Sequence, residues 1–573
     1  MQMMTFTGWG VPEKATDTSR LPKLWPFAHR VIGLTPEMAR PCVDPATIRL
    51  PESRLSAASI RELGACVGVD HVAVDHGTRL LHCYGKSYRD LLRARLGQVE
   101  RAPDAVVFPG THAEVERLLA WAGAQGVRVI PFGGGTNIVG GVEASPTIAE
   151  PIVTVSLRRL NQMLALDEAS GVATLGAGML GPELEDALNR RGFTLGHFPD
   201  SFEFSTLGGW IATRSAGMQS DARGKIEDMV VGLTVATPSG TLVTRAVPRA
   251  AAGPDLKQLI VGSEGALGII TSATMRVARL RPREYRGFLF PTFEAGVGYA
   301  RRIWELGLAP TTMRLSNAQE TQFGMVLKPP SKGLSHLATR AAMAYLRRVR
   351  GYDLDQTCVM ILGWELPADE LARKRRAALR LLREFNGFDG GAGAGNAWYA
   401  RKYDYPYLRD LVMGHGGMCD VTETAVLWKD VLPTYDRIHR GLREEVQAPD
   451  CAGYVGCHLS HMYAEGVCLY FTFGARQDER DPLGQYLRVK GRAMDLVLSS
   501  GAALSHHHSI GYEHLPWLGQ HVGPLGLKAF RDLKRTFDPA GVCNPGRLVP
   551  EPDSLMTRRW PGRAAGTDSV PQP

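Results

Sequence analysis

The segment from Ala105 to Asn137 shows two hydrophobic periods in succession. A short β-rich run, AVVF at 105–108, is followed by Thr111 and Glu114, which have the spacing of a helix-capping box. The next apolar positions fall on one helical face, namely Val115, Leu118, Leu119 and Ala122. Gly126 is placed to end this helix, and VRVIPF at 127–132 is a second β-rich run. The pattern predicts a strand–helix–strand unit.

The second strand leads into three consecutive glycines, in PFGGGTN from Pro131 to Asn137. Glycine has no Cβ and accepts positive φ, so backbone N–H groups can close around a diphosphate at such a loop. A tight turn needs glycine for steric reasons alone, so the triplet by itself leaves both interpretations open. The loop nevertheless lies where a cofactor-binding loop would follow a strand.

Outside this unit the pattern divides the chain into four segments. Residues 1–100 contain proline-rich connections and helical stretches, and we predict an N-terminal arm and helical lead-in. Short β-rich runs alternate with glycine turns at 101–280, as in an α+β domain. Longer strands and helices at 281–527 predict a second sheet that covers the first domain, and residues 528–573 are predicted to return to the first domain. Within the second domain we expect a charged helix at 368–385 and a flexible surface loop, FDGGAGAGN, at 388–396.

Three further motifs change the picture. PDS with STLGGWIATRSAG, IEDMVVGLTVATPSG and GSEGALGIIT follow PFGGGTN in that order. Together they resemble the FAD-binding domain of the vanillyl-alcohol oxidase type, and their order and wording are most similar to the alkyldihydroxyacetonephosphate synthase family. The resemblance implies an α+β fold, with a vanillyl-alcohol oxidase-type FAD-binding domain at 101–280 and an α/β cap or substrate domain at 281–527.

The same resemblance implies a set of cofactor-binding residues. Histidine often attaches flavin covalently just after the glycine loop in this fold, but Thr136 and Asn137 stand there, so we expect non-covalent FAD. Arg223 and Lys225 replace a tyrosine and an asparagine of the family. The implied cofactor residues are Pro131, Gly133, Gly134, Gly135, Thr136, Asn137, Pro199, Asp200, Ser201, Thr206, Gly208, Gly209, Thr213, Glu264 and Ile270.

Composition narrows the possible partners. The 573 residues carry 66 Lys and Arg against 58 Asp and Glu, spread along the chain, for a net charge of +8. This mild excess argues against nucleic acid and favours an anionic substrate or an anionic membrane surface. Nine cysteines without a C-x-x-C pair predict neither a disulfide framework nor a finger-type zinc site, and no metal site is predicted. The N-terminal sequence lacks a signal-peptide pattern and no apolar run reaches spanning length, so we expect a cytoplasmic protein.

LSHHHSIG places His506, His507 and His508 in a row. Alternate side chains point apart in a strand or a helix, so at most two of the three are expected to share one cavity. A surface or metal-binding triplet is the alternative interpretation. The resemblance implies a catalytic role, because the family carries a histidine triplet here, although Ser509 stands where glycine is usual.

Tyr470 is the one phenol in the apolar strand VCLYFTF at 467–473. Such a tyrosine is ordinarily a packing residue, but this one matches the active-site tyrosine of the family. The resemblance therefore implies that Tyr470 handles a proton, which a phenol beside imidazoles and flavin can do near neutral pH if positive neighbours lower its pKa.

Arg314 in TTMRLSN and Arg409 in YPYLRDL stand among apolar residues. A buried guanidinium needs an anion, so each pairs with a carboxylate, such as Asp410 beside Arg409, or binds a phosphate or carboxylate of a ligand. Both match family positions that line the substrate site. Glu423 and Thr424 match an ET pair of the family, but the sequence gives them no role.

A basic amphipathic helix is predicted at 334–350, after a mobile loop at Pro329–Pro330. A lipid surface and an ordinary packed helix explain its pattern equally well. Its apolar strip is Leu334, Leu337, Ala341, Tyr345 and Val349, beside Arg340, Arg347, Arg348 and Arg350.

The resemblance implies an exchange without net oxidation, in which a long-chain fatty alcohol replaces the acyl group of acyl-dihydroxyacetone phosphate. We expect a homodimer with peripheral membrane contact. The chief alternative is an FAD-dependent D-2-hydroxy-acid dehydrogenase of the same fold, for which His458 and His461 would be metal ligands. The E-H-G motif typical of those dehydrogenases is missing. A third interpretation is a flavin-bound protein that only docks on membranes or partners.

Overall fold

The computed structural model of the chain describes residues 3–328 and 334–549. Its α-helices are α1 (Leu24–Ile32), α2 (Ala57–Val67), α3 (His76–Leu81), α4 (Tyr88–Arg95), α5 (His112–Gln125), α6 (Gly181–Asn189), α7 (Leu207–Ala212), α8 (Ser220–Arg223), α9 (Ile226–Met229), α10 (Leu256–Ile260), α11 (Phe293–Glu305), α12 (Ala318–Val326), α13 (Leu334–Arg348), α14 (Ala368–Leu381), α15 (Ala392–Ala400), α16 (Tyr405–Gly414), α17 (Val431–Val446), α18 (Pro482–Ser499) and α19 (Leu515–Phe537). Its strands are β1 (Val72–Ala73), β2 (Ala105–Val107), β3 (Arg128–Phe132), β4 (Ile152–Ser156), β5 (Met163–Asp167), β6 (Val172–Gly176), β7 (Phe193–Thr194), β8 (Val230–Thr237), β9 (Gly240–Val243), β10 (Ile269–Arg276), β11 (Ala278–Arg279), β12 (Arg283–Phe290), β13 (Thr312–Ser316), β14 (Cys358–Glu365), β15 (Phe388–Asp389), β16 (Gly417–Leu427), β17 (Tyr454–Met462) and β18 (Gly466–Arg476).

The first sheet has the strand order β1-β2-β4-β3, and β2 and β3 each run parallel to β4. Thr111 caps α5 by accepting the N–H of Glu114, and Gly126 ends the helix in the left-handed conformation. The helix buries the four predicted apolar positions, Val115, Leu118, Leu119 and Ala122. The predicted strand–helix–strand unit is therefore confirmed, and it delivers the glycine loop at the end of β3.

The second sheet is antiparallel and has the order β5-β6-β10-β8-β9. Alternate residues of its central strand β10 are buried from Thr271 to Met275, as expected of a sheet with one face against a core. The helix α7, which carries the LGGW motif, packs on this core through Leu207, Trp210 and Ile211. The two smaller sheets thus bring the glycine loop and the STLGG motif together.

The third sheet has seven strands in the order β15-β12-β14-β13-β17-β18-β16, with antiparallel pairing throughout. Helices α11, α14, α17 and α18 share one large core with it, which includes the fully buried Trp364, Tyr299 and Phe471. Strands β13, β17 and β18 also carry residues that border the central cavity. The predicted cap architecture of a sheet covered by helices is confirmed.

The glycine-rich segment 388–396 is not the flexible surface loop that we expected. Phe388–Asp389 pairs with β12, and α15 begins at Ala392. A Cβ at Gly395 would collide with the backbone of Tyr285 and Arg286. Glycine here permits close packing of a helix on a strand, which a sequence pattern does not distinguish from flexibility.

Helix α13 confirms a helix over 334–348. Ala341, Tyr345 and Val349 of the predicted apolar strip are exposed, whereas Leu346 is buried. Pro329–Pro330 and the side chains of Leu334 and Leu337 lie outside the described residues. None of the helices in the described ranges is both long and apolar enough to cross a bilayer.

Residues 538–544 return to the first sheet. The Asp538 carboxylate accepts the N–H groups of Val542 and Cys543, at 2.8 and 2.7 Å. Cys543 then bridges to Val129 alongside β3, and the N–H of Asn544 donates to the Val129 carbonyl at 2.8 Å. The C-terminal segment therefore lies against the strand that leads into the glycine loop.

Candidate active site

A cavity of about 460 Å³ lies between the two smaller sheets and the seven-stranded sheet. Every residue predicted to hold the cofactor lines it, from Pro131 to Ile270. Arg314, Arg409, Tyr470, His507 and His508 line the same cavity, whereas His506 does not. The expectation that at most two histidines of the triplet share the cavity agrees with this arrangement.

The glycine loop leaves no room for side chains. A Cβ on Gly134 would overlap the carbonyl oxygen of Phe204, and one on Gly133 would overlap Thr206. Gly135 has φ of +69°, a conformation that other residues rarely adopt. Bare peptide that faces a cavity in this way suits a diphosphate, so the residues present fit the FAD that the fold implies.

Glu423 holds the histidine loop, residues 505–509, in place. Its buried carboxylate on β16 accepts the backbone N–H groups of His506, His507 and His508 at 2.6, 3.1 and 2.9 Å. It also accepts the Ser505 hydroxyl at 2.8 Å. This role for Glu423 was not apparent from the sequence, since no local pattern links residues more than eighty positions apart.

Two further features fix the ends of the histidine loop. Thr424 donates its hydroxyl to the Ala503 carbonyl at 2.5 Å, which gives this residue a structural role. Ser509 has φ of +70°, so the position where the family has glycine keeps the glycine-like conformation. Lys225 donates to the carbonyl oxygen of His506 at 2.6 Å, so the replacement of the family's asparagine adds a contact to this loop.

The imidazoles of the triplet are neutral. Burial lowers the pKa of His506, His507 and His508, and for His507 the neighbouring His508 adds to the effect. The Nδ1 atoms of His506 and His507 lie 3.0 Å apart, and Nε2 of His506 is 2.7 Å from the Tyr463 hydroxyl. His507 and His508 therefore reach the cavity as uncharged imidazoles.

Tyr470 lies among these imidazoles. Its ring stacks on His458 with centroids 4.6 Å apart and meets His508 edge-on at 5.5 Å. Burial, assisted by the Asp200 carboxylate, raises its pKa well above the usual range. A pKa lowered by positive neighbours, the condition given above for proton transfer near neutral pH, is not met, because the surrounding histidines are neutral and desolvation dominates. Tyr470 therefore stays a protonated phenol.

Arg314 and Arg409 differ in their surroundings. Arg314 donates to Glu320 at 2.7 Å, so its charge is balanced within the protein. Arg409 donates to the Lys86 carbonyl at 2.7 Å, and its buried Nε has no partner. Asp410, the partner that we considered for Arg409, instead accepts the N–H of Trp9 at 2.5 Å. The charge of Arg409 acts on the Asp410 carboxylate and lowers its pKa, although burial raises that pKa overall. The unpartnered Nε of Arg409 remains available for an anionic ligand.

An apolar arm of the cavity extends from this polar centre. Helix α1, from the predicted N-terminal arm, forms one side, and Trp9 also lines the cavity. The rings of Phe27 and Phe323 lie 5.7 Å apart, and those of Phe323 and Tyr454 lie 5.6 Å apart. The apolar arm consists of Leu24, Phe27, Ala28, Val31, Ile32, Phe323, Leu408, Leu411, Val412 and Tyr454.

The metal site of the dehydrogenase alternative is not assembled in the described part of the chain. His458 pairs with Glu320 at 3.0 Å, and His461 stacks on His506 with centroids 5.5 Å apart. Ligand atoms of Glu423, Cys468, His506 and His507 do lie within 4.8 Å of one another, a grouping that the sequence did not indicate. Both oxygens of Glu423 already accept N–H groups of the histidine loop, so we assign this carboxylate to the loop.

Comparison with known proteins agrees with the fold. The family described as FAD binding domain matches residues 103–245, and the family described as FAD linked oxidases, C-terminal domain, matches residues 280–548. Alkyldihydroxyacetonephosphate synthase of Dictyostelium discoideum is 39% identical over 92% of this chain and 88% of its own, and that of Trypanosoma brucei brucei is 37% identical over 91% and 84%. A solved alkyldihydroxyacetonephosphate synthase structure superposes with a TM-score of 0.82 at 34% identity, covering 95% of this chain and 98% of that one. The chain belongs to the alkyldihydroxyacetonephosphate synthase family of FAD-linked oxidases.

Proposed function

We propose that this protein is an FAD-dependent synthase of ether lipids, which exchanges the acyl group of acyl-dihydroxyacetone phosphate for a long-chain fatty alcohol. The names of its relatives suggest this reaction. The observation that carries it to this chain is the single cavity, in which a diphosphate cradle, a cluster of proton-transfer groups and an apolar arm meet. An exchange of one long chain for another needs all three in one place.

The polar residues of the cavity have different roles in the exchange. His507 and His508 are neutral bases, and Tyr470 is a neutral acid in contact with them. Arg409, with an unpartnered Nε, binds the substrate phosphate, and Arg314, which is paired with Glu320, adds a second positive group to the lining of the same cavity. When FAD is bound, its isoalloxazine ring supplies the surface on which the reacting carbon is held.

The apolar arm accepts the hydrocarbon chain. Its walls from α1, α12 and α16 carry aliphatic and aromatic side chains, so a chain that enters leaves water and gains about 0.8 kcal/mol per methylene. Exclusion of water from the same cavity also protects the reacting ester from hydrolysis.

The cofactor is held without a covalent bond in this proposal. Thr136 and Asn137 occupy the place after the glycine loop, and neither is a nucleophile of the kind that attaches flavin. Asn137 instead folds the loop, because its Oδ1 accepts the N–H groups of Val139 and Gly141 at 3.1 and 2.6 Å. Denaturation should therefore release FAD into the supernatant, with a protein mass equal to that of the chain alone.

The experiment is incubation of the purified FAD-loaded protein with acyl-dihydroxyacetone phosphate and labelled hexadecanol. Label should appear in an alkyl product, and Tyr470→Phe should reduce the rate by about 100-fold or more. Tyr345→Phe, at an exposed site on α13, removes the same hydroxyl outside the cavity and should have no effect. The proposal fails if the wild-type protein forms no alkyl product.

Anaerobic mixing with a D-2-hydroxy acid tests the dehydrogenase alternative. Bleaching of the visible absorbance of the flavin would favour that activity over the exchange. The homodimer, the cytoplasmic location, the membrane contact and the four segment boundaries stay predictions.

A further inference from the structure

His458 and Glu320 form a buried pair beside the cavity. His458 lies on β17 and Glu320 on α12, and Nδ1 of the imidazole is 3.0 Å from Oε2 of the carboxylate. Arg314 binds the other carboxylate oxygen at 2.7 Å. His458 is only 4% exposed and lines the cavity, so it is both fixed and in reach of a ligand.

The pair specifies one tautomer of His458. Burial opposes the ionisation of Glu320, but the neighbouring His458 and Arg314 lower its pKa to about 2. Nη2 of Arg314 also lies 3.1 Å from Nδ1 of His458, but it donates to Glu320 at 2.7 Å. An ionised carboxylate only accepts hydrogen bonds, so we assign the proton between His458 and Glu320 to Nδ1. This tautomer keeps its lone pair on Nε2, which makes no hydrogen bond to the described residues. A carboxylate that orients an imidazole in this way is the arrangement of a general base.

The histidine triplet lacks this arrangement. His506 and His507 face each other through Nδ1, and the carboxylate nearest to the triplet, Glu423, is used by backbone N–H groups. Nδ1 of His508 lies 3.4 Å from Glu423, farther than Nδ1 of His458 from Glu320. His458 also stacks on Tyr470 with ring centroids 4.6 Å apart, so the two residues are neighbours in the cavity lining.

We propose that His458 is a catalytic base of the exchange and that Glu320 is its positioning residue. This inference rests on the proposed function. As the alcohol oxygen bonds to the substrate carbon, its hydroxyl proton moves to Nε2 of His458. The same proton then passes to the carboxylate that departs from that carbon, so a fatty acid leaves and the imidazole is neutral again. No electron is gained or lost, in keeping with an exchange.

The charges around His458 are suited to this shuttle. Burial and the Arg314 guanidinium lower the pKa of His458, and the Glu320 carboxylate raises it, so the ring is neutral near pH 7 and charges briefly. Removal of Glu320 takes away the group that favours the imidazolium, so the acid limb of the pH profile should move to lower pH. The titratable and charged groups that face the pair are Arg314, Asp200, Tyr405, Tyr454, Tyr470 and His461.

The first test is independent of the ether-lipid reaction. A proton held between an imidazole and a carboxylate gives a ¹H NMR resonance far downfield of the backbone amides. The FAD-loaded wild-type protein should show this resonance, and His458→Asn and Glu320→Gln should each lose it. His439→Asn, at a half-buried histidine on α17 whose ring nitrogen contacts Gln319 and the Val455 carbonyl, should keep it. If the folded wild-type protein lacks this resonance, the proposed hydrogen bond between His458 and Glu320 is refuted.

The second test measures the exchange itself. With saturating substrates, kcat should fall about 100-fold in His458→Asn and about tenfold in Glu320→Gln, with little change in KM for the alcohol. His458→Gly should regain activity when imidazole is added, which a purely structural role would not produce. If His458→Asn folds poorly, the inference is decided by Glu320→Gln, in which the acid limb of the pH profile should move to lower pH. A kcat within twofold of wild type in either variant overturns the inference, whereas a wild-type protein that shows the resonance but forms no alkyl product refutes the proposed function instead.

Discussion

Replacement of Gly134 by alanine tests whether the glycine loop is a cofactor cradle. The added Cβ would overlap the carbonyl oxygen of Phe204 and lie 2.7 Å from its carbonyl carbon, where ordinary contact begins at 3.4 Å. Both atoms belong to the backbone and do not rotate away, so the loop itself must shift, by about 1 Å. Because φ at Gly134 is not positive, contact and not backbone strain is the cause.

A shift of this size removes hydrogen bonds from the diphosphate. The loss of two N–H donors to a charged ligand is worth about 3 kcal/mol, which raises the Kd for FAD about 150-fold. The assay is titration of the apoprotein with FAD, followed by flavin fluorescence. Gly393→Ala is the matched control, since this glycine lies in α15 with no atom within 4 Å of an added Cβ, and its Kd should not change. A Gly134→Ala protein that binds FAD within threefold of wild type would refute the assignment of the loop.

Three further predictions concern Glu423, the apolar arm and the pH dependence of stability. In Glu423→Gln only one side-chain oxygen remains to accept the hydrogen bonds of the histidine loop, which now use both carboxylate oxygens, so the loop should shift. We expect kcat in the exchange assay to fall about 10- to 100-fold at unchanged FAD content. Phe27→Ala enlarges the apolar arm, so kcat/KM across a series of alcohols should peak at a longer chain; an unchanged peak would place the chain elsewhere. Burial raises the pKa of Asp221 to about 7 from an ordinary value of 3.8, so its contribution to stability is present below about pH 4 and is lost as pH rises to about 7. Asp221→Asn should flatten the fall in denaturation midpoint over that interval, and an equally steep fall in the variant would contradict the assignment.

The parts that the sequence predicted well are those whose physical demands are local. A capping threonine, a helix-ending glycine and a glycine loop depend on residues within a few positions, and α5 with its flanking strands follows them closely. Motif resemblance added the cofactor residues, all of which line one cavity.

The parts that failed depend on partners far along the chain. Glu423 contacts the histidine loop across more than eighty residues, and Arg409 meets the Lys86 carbonyl across 323. The direction of the Tyr470 pKa shift depends on burial by distant segments, which the sequence does not show. The prediction of a flexible loop at 388–396 was wrong because glycine can serve close packing as well as flexibility. Only the position of β12 distinguishes the two roles.

Both extremities of the described chain take part in the central chamber. Trp9 and α1 close the side that receives the hydrocarbon, and the bridge from Cys543 to Val129 braces the strand before the glycine loop. During synthesis on the ribosome, Trp9 and α1 therefore emerge hundreds of residues before the segments with which they enclose the cavity. We therefore expect FAD to bind late in synthesis, because a chain that ends before residue 543 lacks the contact between Cys543 and Val129 beside the glycine loop.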